Sequence, residues 1–210
     1  PGDSIPDAIL IPGTKSTIPD LRRLKEAGFA GYIRRCIESG GSVAGICGGF
    51  QMMGTRLRDP DRVESSAEEE AGLGLLRSET VFGGQKRTAR VRALHLESGA
   101  EVSGYEIHMG ATQGEENPAF RITERHGEIS GDLDGGSAEG GRVWGTYIHG
   151  VFDSAPFRRH FINALRAGKG WKPIPGAGET DLDGDLDRLA DRVRASLDMD
   201  GIREILAGRR

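Results

Sequence analysis

The sequence predicts an α/β fold, a mostly parallel sheet with helices on both faces and an antiparallel excursion, in a chain of 210 residues. Three observations lead there. Two short, almost wholly apolar runs, Ala8-Ile9-Leu10-Ile11 and Ser42-Val43-Ala44-Gly45-Ile46, each end in a glycine-containing turn, as strands buried on both faces do. Between them Leu21, Leu24, Ile33, Cys36 and Ile37 recur at helical spacing, so residues 8–54 read as β-α-β-α. Far downstream a third such run, Val143-Trp144-Gly145-Thr146-Tyr147-Ile148, ends at His149.

The first strand stops at Pro12-Gly13-Thr14, and sites in parallel sheets sit at the carboxyl ends of strands, which places Gly13 and Thr14 for chemistry. Gly13-Thr14-Lys15-Ser16-Thr17 lacks both the Gly-Lys-Ser/Thr order and the upstream glycine of a phosphate-binding loop. A helix begins at Ser16 or Thr17, with a capping hydroxyl and Pro19 in the first turn, and Gly28 and Gly31 divide the helical stretch. Cys36 lies on its apolar stripe and belongs to the core. Residues 55–72, with Glu64 and Glu68-Glu69-Glu70, read as a solvated loop that holds no site.

Thr80-Val81-Phe82, Thr88–Leu94 and Val102–Met109 then alternate like antiparallel strands, with Gly83-Gly84 and Ser98-Gly99 as turns. Glu106 and His108 share one face of the third strand, either to bind a polar substrate or as a solvated pair. Residues 111–142 are glycine-rich and acidic and read as a mobile loop. Within it Asp132-Leu133-Asp134 lacks the closing glutamate of a calcium loop, so no metal is expected. An amphipathic helix spans Ala155–Leu165. Beyond Pro173-Ile174-Pro175, Leu186, Leu189, Val193 and Leu197, then Ile202, Ile205 and Leu206, mark two more helices. The expected division is a domain over 1–170 and a helical extension over 171–210.

A net charge of −4 gives no electrostatic footprint for nucleic acid or an anionic membrane surface. No signal peptide is expected, the sequence holds no run of 18 apolar residues, and its two cysteines suggest no disulfide framework. A cytoplasmic enzyme is expected.

The chemistry concentrates in Gly45-Ile46-Cys47-Gly48-Gly49-Phe50-Gln51. A strand, a sharp glycine-flanked turn and a helix would lift the Cys47 thiol clear of the sheet. The helix N-terminus would favour thiolate, and the Gly48 N–H would face an oxyanion forming on an attacked carbonyl. His149, at the end of another core strand, is the candidate base of a Cys-His acyl-transfer pair. The plainer alternatives are a buried structural cysteine and a core histidine bonded to backbone. His95 and His126 fall in hairpin or loop and His160 in a helix, with weaker claims.

Four ordered stretches carry a resemblance. They are Ile11–Thr17, Gly45–Gly54, Gly104-Tyr105-Glu106-Ile107-His108-Met109-Gly110 and Trp144–Asp153. Together they resemble the C-terminal glutamine amidotransferase domain of the cobyric acid synthase family. The resemblance implies a class I, triad-type amidotransferase that hydrolyses glutamine through a cysteinyl thioester. Its ammonia goes to a synthetase domain, which uses ATP and Mg²⁺ to amidate the corrinoid adenosylcobyrinic acid a,c-diamide. It assigns Cys47 as nucleophile and His149 as base, Gly48 and the Gly13 region as oxyanion donors, and Gln51 to the glutamine-binding part of the elbow helix. No cofactor is expected in this chain, since ATP and Mg²⁺ would act on the synthetase part. Val151 stands where most class I members carry a glutamate that orients the histidine, which leaves Asp153 or a backbone carbonyl as candidates. The resemblance further implies that strands of the domain precede Ala8. Two alternatives stand beside it: an amidotransferase subunit of a related ligase acting on cobyrinic acid or cell-wall lipid, and a truncated, inactive remnant.

Overall fold

The computed structural model describes residues 2, 4–83, 86–114, 116–176 and 182–208, so Gly84 of the Gly83-Gly84 turn lies outside the described residues. The chain divides into two compact units, Pro1–Ala177 and Gly178–Arg210. The first opens with β1 (Ala8–Ile11), α1 (Thr17–Glu26), α2 (Phe29–Glu38), β2 (Ser42–Ile46) and α3 (Gly48–Met53). Gly28, at φ 79°, separates α1 from α2, whereas Gly31 lies inside α2 and does not break it. Ser16 is the N-cap of α1, but its hydroxyl makes no capping bond. The cap comes from a distance, because the Glu64 carboxylate accepts from the Thr17 N–H.

Next come β3 (Arg56–Arg58), β4 (Glu69–Ala71), β5 (Glu79–Val81), β6 (Arg87–His95), β7 (Glu101–His108), β8 (Ala111–Gln113) and β9 (Phe120–Arg125). They are followed by β10 (Glu128–Ile129), β11 (Leu133–Asp134), β12 (Gly136–Ala138), β13 (Val143–Thr146), β14 (Ile148–His149) and α4 (Ala155–Gly168). Three sheets result. One runs β1-β2-β13-β12, parallel except for β12. A second, antiparallel, runs β10-β9-β6-β7-β14 with β11 also on β9, and a third runs β4-β3-β5-β8. The expectation of a mostly parallel sheet is therefore corrected, since parallel pairing is confined to β1, β2, β13 and the β3/β5 pair. The stretches read as loops at 55–72 and 111–142 contain β3, β4 and β8–β12. Their glycine and acid content hides short alternations such as Phe120 and Ile122, both fully buried on one face of β9.

Alternation along β2 and β13 explains the layering. Val43 and Val143 enter a core with Ile18, Leu21, Ile33, Phe50 and Met53 of the three helices. Ala44 and Trp144 point the other way, to Val91, Val102, Ile122 and Ile148 of the antiparallel sheet and Phe157 of α4. Helices thus cover one face of the parallel sheet, and the second face is covered chiefly by strands. β1 is the outer strand, with Leu10 52% exposed, so it is not buried on both sides as expected. The core placement of Cys36 is as expected, with its thiol donating to Pro6 O at 3.3 Å.

The run from Val143 to His149 is not one strand. Thr146 still pairs with Ile46 in the parallel sheet, but Ile148 and His149 pair with Glu106 and Tyr105 of β7. The chain changes sheets at Tyr147. Buried Asp134 supports the step by accepting from the Thr146 hydroxyl and, at 3.3 Å, from the Tyr147 N–H. The second unit holds α5 (Leu182–Ser196) and α6 (Met199–Leu206), the latter capped by Asp198, which accepts from Gly201 N at 2.9 Å. No described helix is long and apolar enough to cross a membrane.

Candidate active site

β2 ends at Ile46 and α3 begins at Gly48, so Cys47 alone makes the turn. Its backbone sits at φ 54°, ψ −111°. A side chain in that region carries strain of about 1–3 kcal/mol and persists only where the surroundings hold it. Here the Cys47 N–H donates to Thr146 O at 2.8 Å and its carbonyl accepts from Gln51 N at 3.0 Å. Gly49 lets α3 lie against the end of β1, since a Cβ there would stand 2.0 Å from Ile11 O.

The side chains of Cys47 and His149 converge on Gly13. A Cβ on Gly13 would lie 3.3 Å from His149 Cε1 and 3.4 Å from Cys47 Cβ. One on Gly48 would reach 3.1 Å from Thr14 N. The structure therefore brings Cys47, Gly48, Gly13 and His149 together. Nε2 of His149 is buried and has no hydrogen-bond partner. In a folded interior such an atom is uncommon. The contact that the ring does make is one the sequence did not suggest. Tyr105, the cross-strand neighbour of His149, stacks on it with rings 3° from parallel and centroids 4.9 Å apart. Val151 is packed into the core, and the Asp153 carboxylate lies beside Gly150. Among the described residues no carboxylate or carbonyl hydrogen-bonds to the imidazole.

Electrostatics set the resting state. The Cys47 thiol donates to Ile107 O at 3.4 Å. Burial pushes its pKa up, the Gly48 N–H pulls it down and the charge of Glu64 pushes it up again, with a net rise. Burial also lowers the pKa of His149. The pair at rest is a neutral thiol beside a neutral imidazole. The Gly48 N–H at the start of α3 does favour thiolate as expected, but burial outweighs it.

Gln51 is buried behind the elbow, donating to Met109 O at 3.0 Å and to the Tyr147 hydroxyl at 3.1 Å, and accepting from the Thr17 hydroxyl at 3.3 Å. Glu106 and His108 are not a solvated pair. Glu106 is buried against Arg125 at 3.1 Å, and His108 stacks on Tyr147 with centroids 3.8 Å apart. Both line a cavity of about 900 Å³ bounded by Phe50 and Tyr147, whose wall also carries Arg87 and Asp61. Among the described residues no group of three or more His, Cys, Asp or Glu is placed to hold a metal ion.

The site therefore joins an elbow cysteine at the end of a parallel strand to a histidine from a strand of the antiparallel sheet. A crystal structure of a glutamine amidotransferase matches at TM-score 0.50 and 18% identity, covering 77% of this chain and 79% of that one. PurLQS from Thermotoga maritima matches at TM-score 0.51 and 20% identity, covering 76% and 80%. The CobB/CobQ-like glutamine amidotransferase domain family matches residues 1–157, and the chain belongs to that family. Cobyric acid synthase of Streptococcus sanguinis (strain SK36) is 45% identical over 213 residues, covering 98% of this chain and 42% of that protein. Cobyric acid synthase of Dehalococcoides mccartyi (strain CBDB1) is 46% identical over 210 residues, covering 96% and 42%. The chain thus spans about two fifths of the length of these curated relatives.

Proposed function

We propose that the chain hydrolyses glutamine through a γ-glutamyl thioester on Cys47 and supplies the ammonia to an ATP-dependent synthetase part. That part would use ATP and Mg²⁺ to amidate carboxylates of adenosylcobyrinic acid a,c-diamide, a reading supported by the relatives named cobyric acid synthase. The observation that carries the glutaminase step is the unpartnered His149 Nε2, on a ring that together with the Cys47 Cβ lies within 3.4 Å of where a Cβ on Gly13 would stand. As the sulfur attacks the carboxamide carbon, the thiol proton passes to Nε2. The developing oxyanion faces the N–H groups of Gly48 and the Gly13-Thr14 turn. Collapse expels ammonia, which takes the proton from His149, and water activated by the same imidazole then releases glutamate. Gln51 completes the wall of the glutamine pocket through its bonds to Thr17, Met109 and Tyr147. Tyr105 keeps the ring in the plane the transfer needs.

The test is glutamate release from glutamine, with and without a synthetase partner. The expected result is release that falls by roughly 10⁴-fold or more in Cys47→Ala. Release unchanged in that variant would remove the thiol mechanism.

A further inference from the structure

The turn between β11 and β12 holds a buried carboxylate that the steps above leave unused. Three donors point at Asp134: the Thr146 hydroxyl, the Tyr147 N–H at 3.3 Å and the Gly135 N–H. Gly135, at φ 74°, lets this turn press onto β13, since a Cβ there would stand 2.1 Å from Gly145 O. The Thr146 hydroxyl, its proton committed to Asp134, accepts from the Ile148 N–H at 3.0 Å. One carboxylate thus holds Thr146, Tyr147 and Ile148 in succession, and the next residue is His149. The Tyr147 ring stacks on His108, and its hydroxyl accepts from Gln51 Nε2 at 3.1 Å. Arg125, in the wall of the same cavity, is paired with Glu106 and Asp132, and among the described residues no cation is paired with Asp134. A buried charge without a cation costs stability. This one fixes direction, because a carboxylate only accepts and each donor in the chain can then point one way alone.

We propose that Asp134 is a positioning residue for glutamine hydrolysis, setting His149 through Thr146 and Ile148 and setting Gln51 through Tyr147. The inference rests on the glutaminase reading. A proton on Asp134 would turn one acceptor into a donor that faces donors, and the step between the sheets would lose its anchor. Burial first, and then the charge of Glu106, push the pKa of Asp134 up to about 6 against the bonds from Thr146, Tyr147 and Gly135. The other titratable and charged groups of that cavity are His108 of β7, Arg87 of β6, Arg125 of β9, Asp132 and Asp61. The carboxylate is charged above pH 6, and the anchor is lost as pH falls through that value. Loss of a hydrogen bond to a charged group corresponds to about 10- to 100-fold in rate where the transition state depends on it.

The test compares the full chain with Asp134→Asn, which keeps the shape of the side chain and replaces one acceptor by a donor. With the synthetase part present, kcat for glutamate release at pH 8 is expected to fall about 10- to 100-fold. Alkylation of Cys47 by iodoacetamide should stay within about twofold, because the elbow does not depend on Asp134. Equal kcat in the two chains, or alkylation that falls in step with kcat, would overturn the assignment. The pH profile of the unsubstituted chain is a second readout. Below about pH 6 the logarithm of its kcat/KM should fall with a slope approaching two, for Asp134 and His149 together, against a slope near one in Asp134→Asn. A slope of one throughout in the unsubstituted chain would contradict the proposal, even where the variant does not fold. If the unsubstituted chain releases no glutamate, the glutaminase reading fails by itself and proton NMR of His149 decides this one. The stacked Tyr105 shifts the His149 ring protons upfield, and they should move downfield in Asp134→Asn at pH 8. Ring protons at one position in both chains would overturn it.

Discussion

The thiol side of the site is held by local backbone geometry, the imidazole side by pairing between strands far apart in sequence. Cys47 stands where it does because Ile46, Gly48 and Gly49 allow a single residue at φ 54° to join β2 to α3. His149 stands where it does because the chain leaves the parallel sheet at Tyr147 and pairs with Tyr105 in the antiparallel one. The elbow needs few neighbours to form. The base needs β6, β7 and β9 to be folded, the step at Asp134 to hold and Tyr105 to be present. The difference teaches that a perturbation of the antiparallel sheet should reach catalysis through His149 without moving Cys47.

The largest expected effect that sharpens this contrast comes from acid. His95 on β6 is buried among Phe120, Phe157 and His160, and its pKa is lowered to about 4 by burial and by the charge of His160. An unfolded chain takes up this proton near pH 6.5, the folded one only near 4. Between these values the unfolded state binds more protons, so His95 costs stability as pH falls from about 6.5 to about 4, in total about 3 kcal/mol. Buried Asp134, whose pKa is pushed up to about 6, acts with the opposite sign over most of that window. The readout is therefore the difference in denaturation midpoint between the unsubstituted chain and His95→Phe, which should widen as pH falls. A difference flat from pH 7 to 4.5 would remove His95 as the weak point of this sheet.

A smaller effect isolates the base itself. Removing the stacked ring with Tyr105→Ala should lower kcat for glutamine hydrolysis about fivefold with little change in KM, as loss of an aromatic pair of about 1 kcal/mol implies. Tyr105→Phe keeps the stacking face and should retain kcat within about twofold. If Phe fails as Ala does, the hydroxyl rather than the ring does the positioning. If neither substitution changes kcat, His149 is oriented by something else.

These two sides were not equally legible in the sequence. The elbow, with Cys47 and Gly48, could be read directly because its causes are local: an apolar strand, three glycines and the start of a helix. His149 could be found as the polar end of an apolar run, but not the change of sheet at Tyr147, which depends on Asp134 from a stretch read as a loop. Tyr105 could not be found, because its role follows from a cross-strand register set by β7 and β14. Glu64 was hidden in an acidic run, and only its approach to Thr17, 47 residues away, makes it the remote cap of α1 and separates it from the exposed Glu68 and Glu69. The parallel sheet was overestimated because β1 reads as a fully buried strand although its outer side has no neighbour within the sheet.

The account's central claim is that sulfur from one sheet and imidazole from the other act together on glutamine. The most direct measurement is acid-quenched mass analysis of the chain after brief mixing with glutamine, with the peptide containing Cys47 isolated. The account predicts a γ-glutamyl group on Cys47, one that builds up further in His149→Ala if hydrolysis slows more than attack and is absent from Cys47→Ala. Glutamate released with no adduct on Cys47 at any time or in any variant, or an adduct on Cys36 instead, would contradict it.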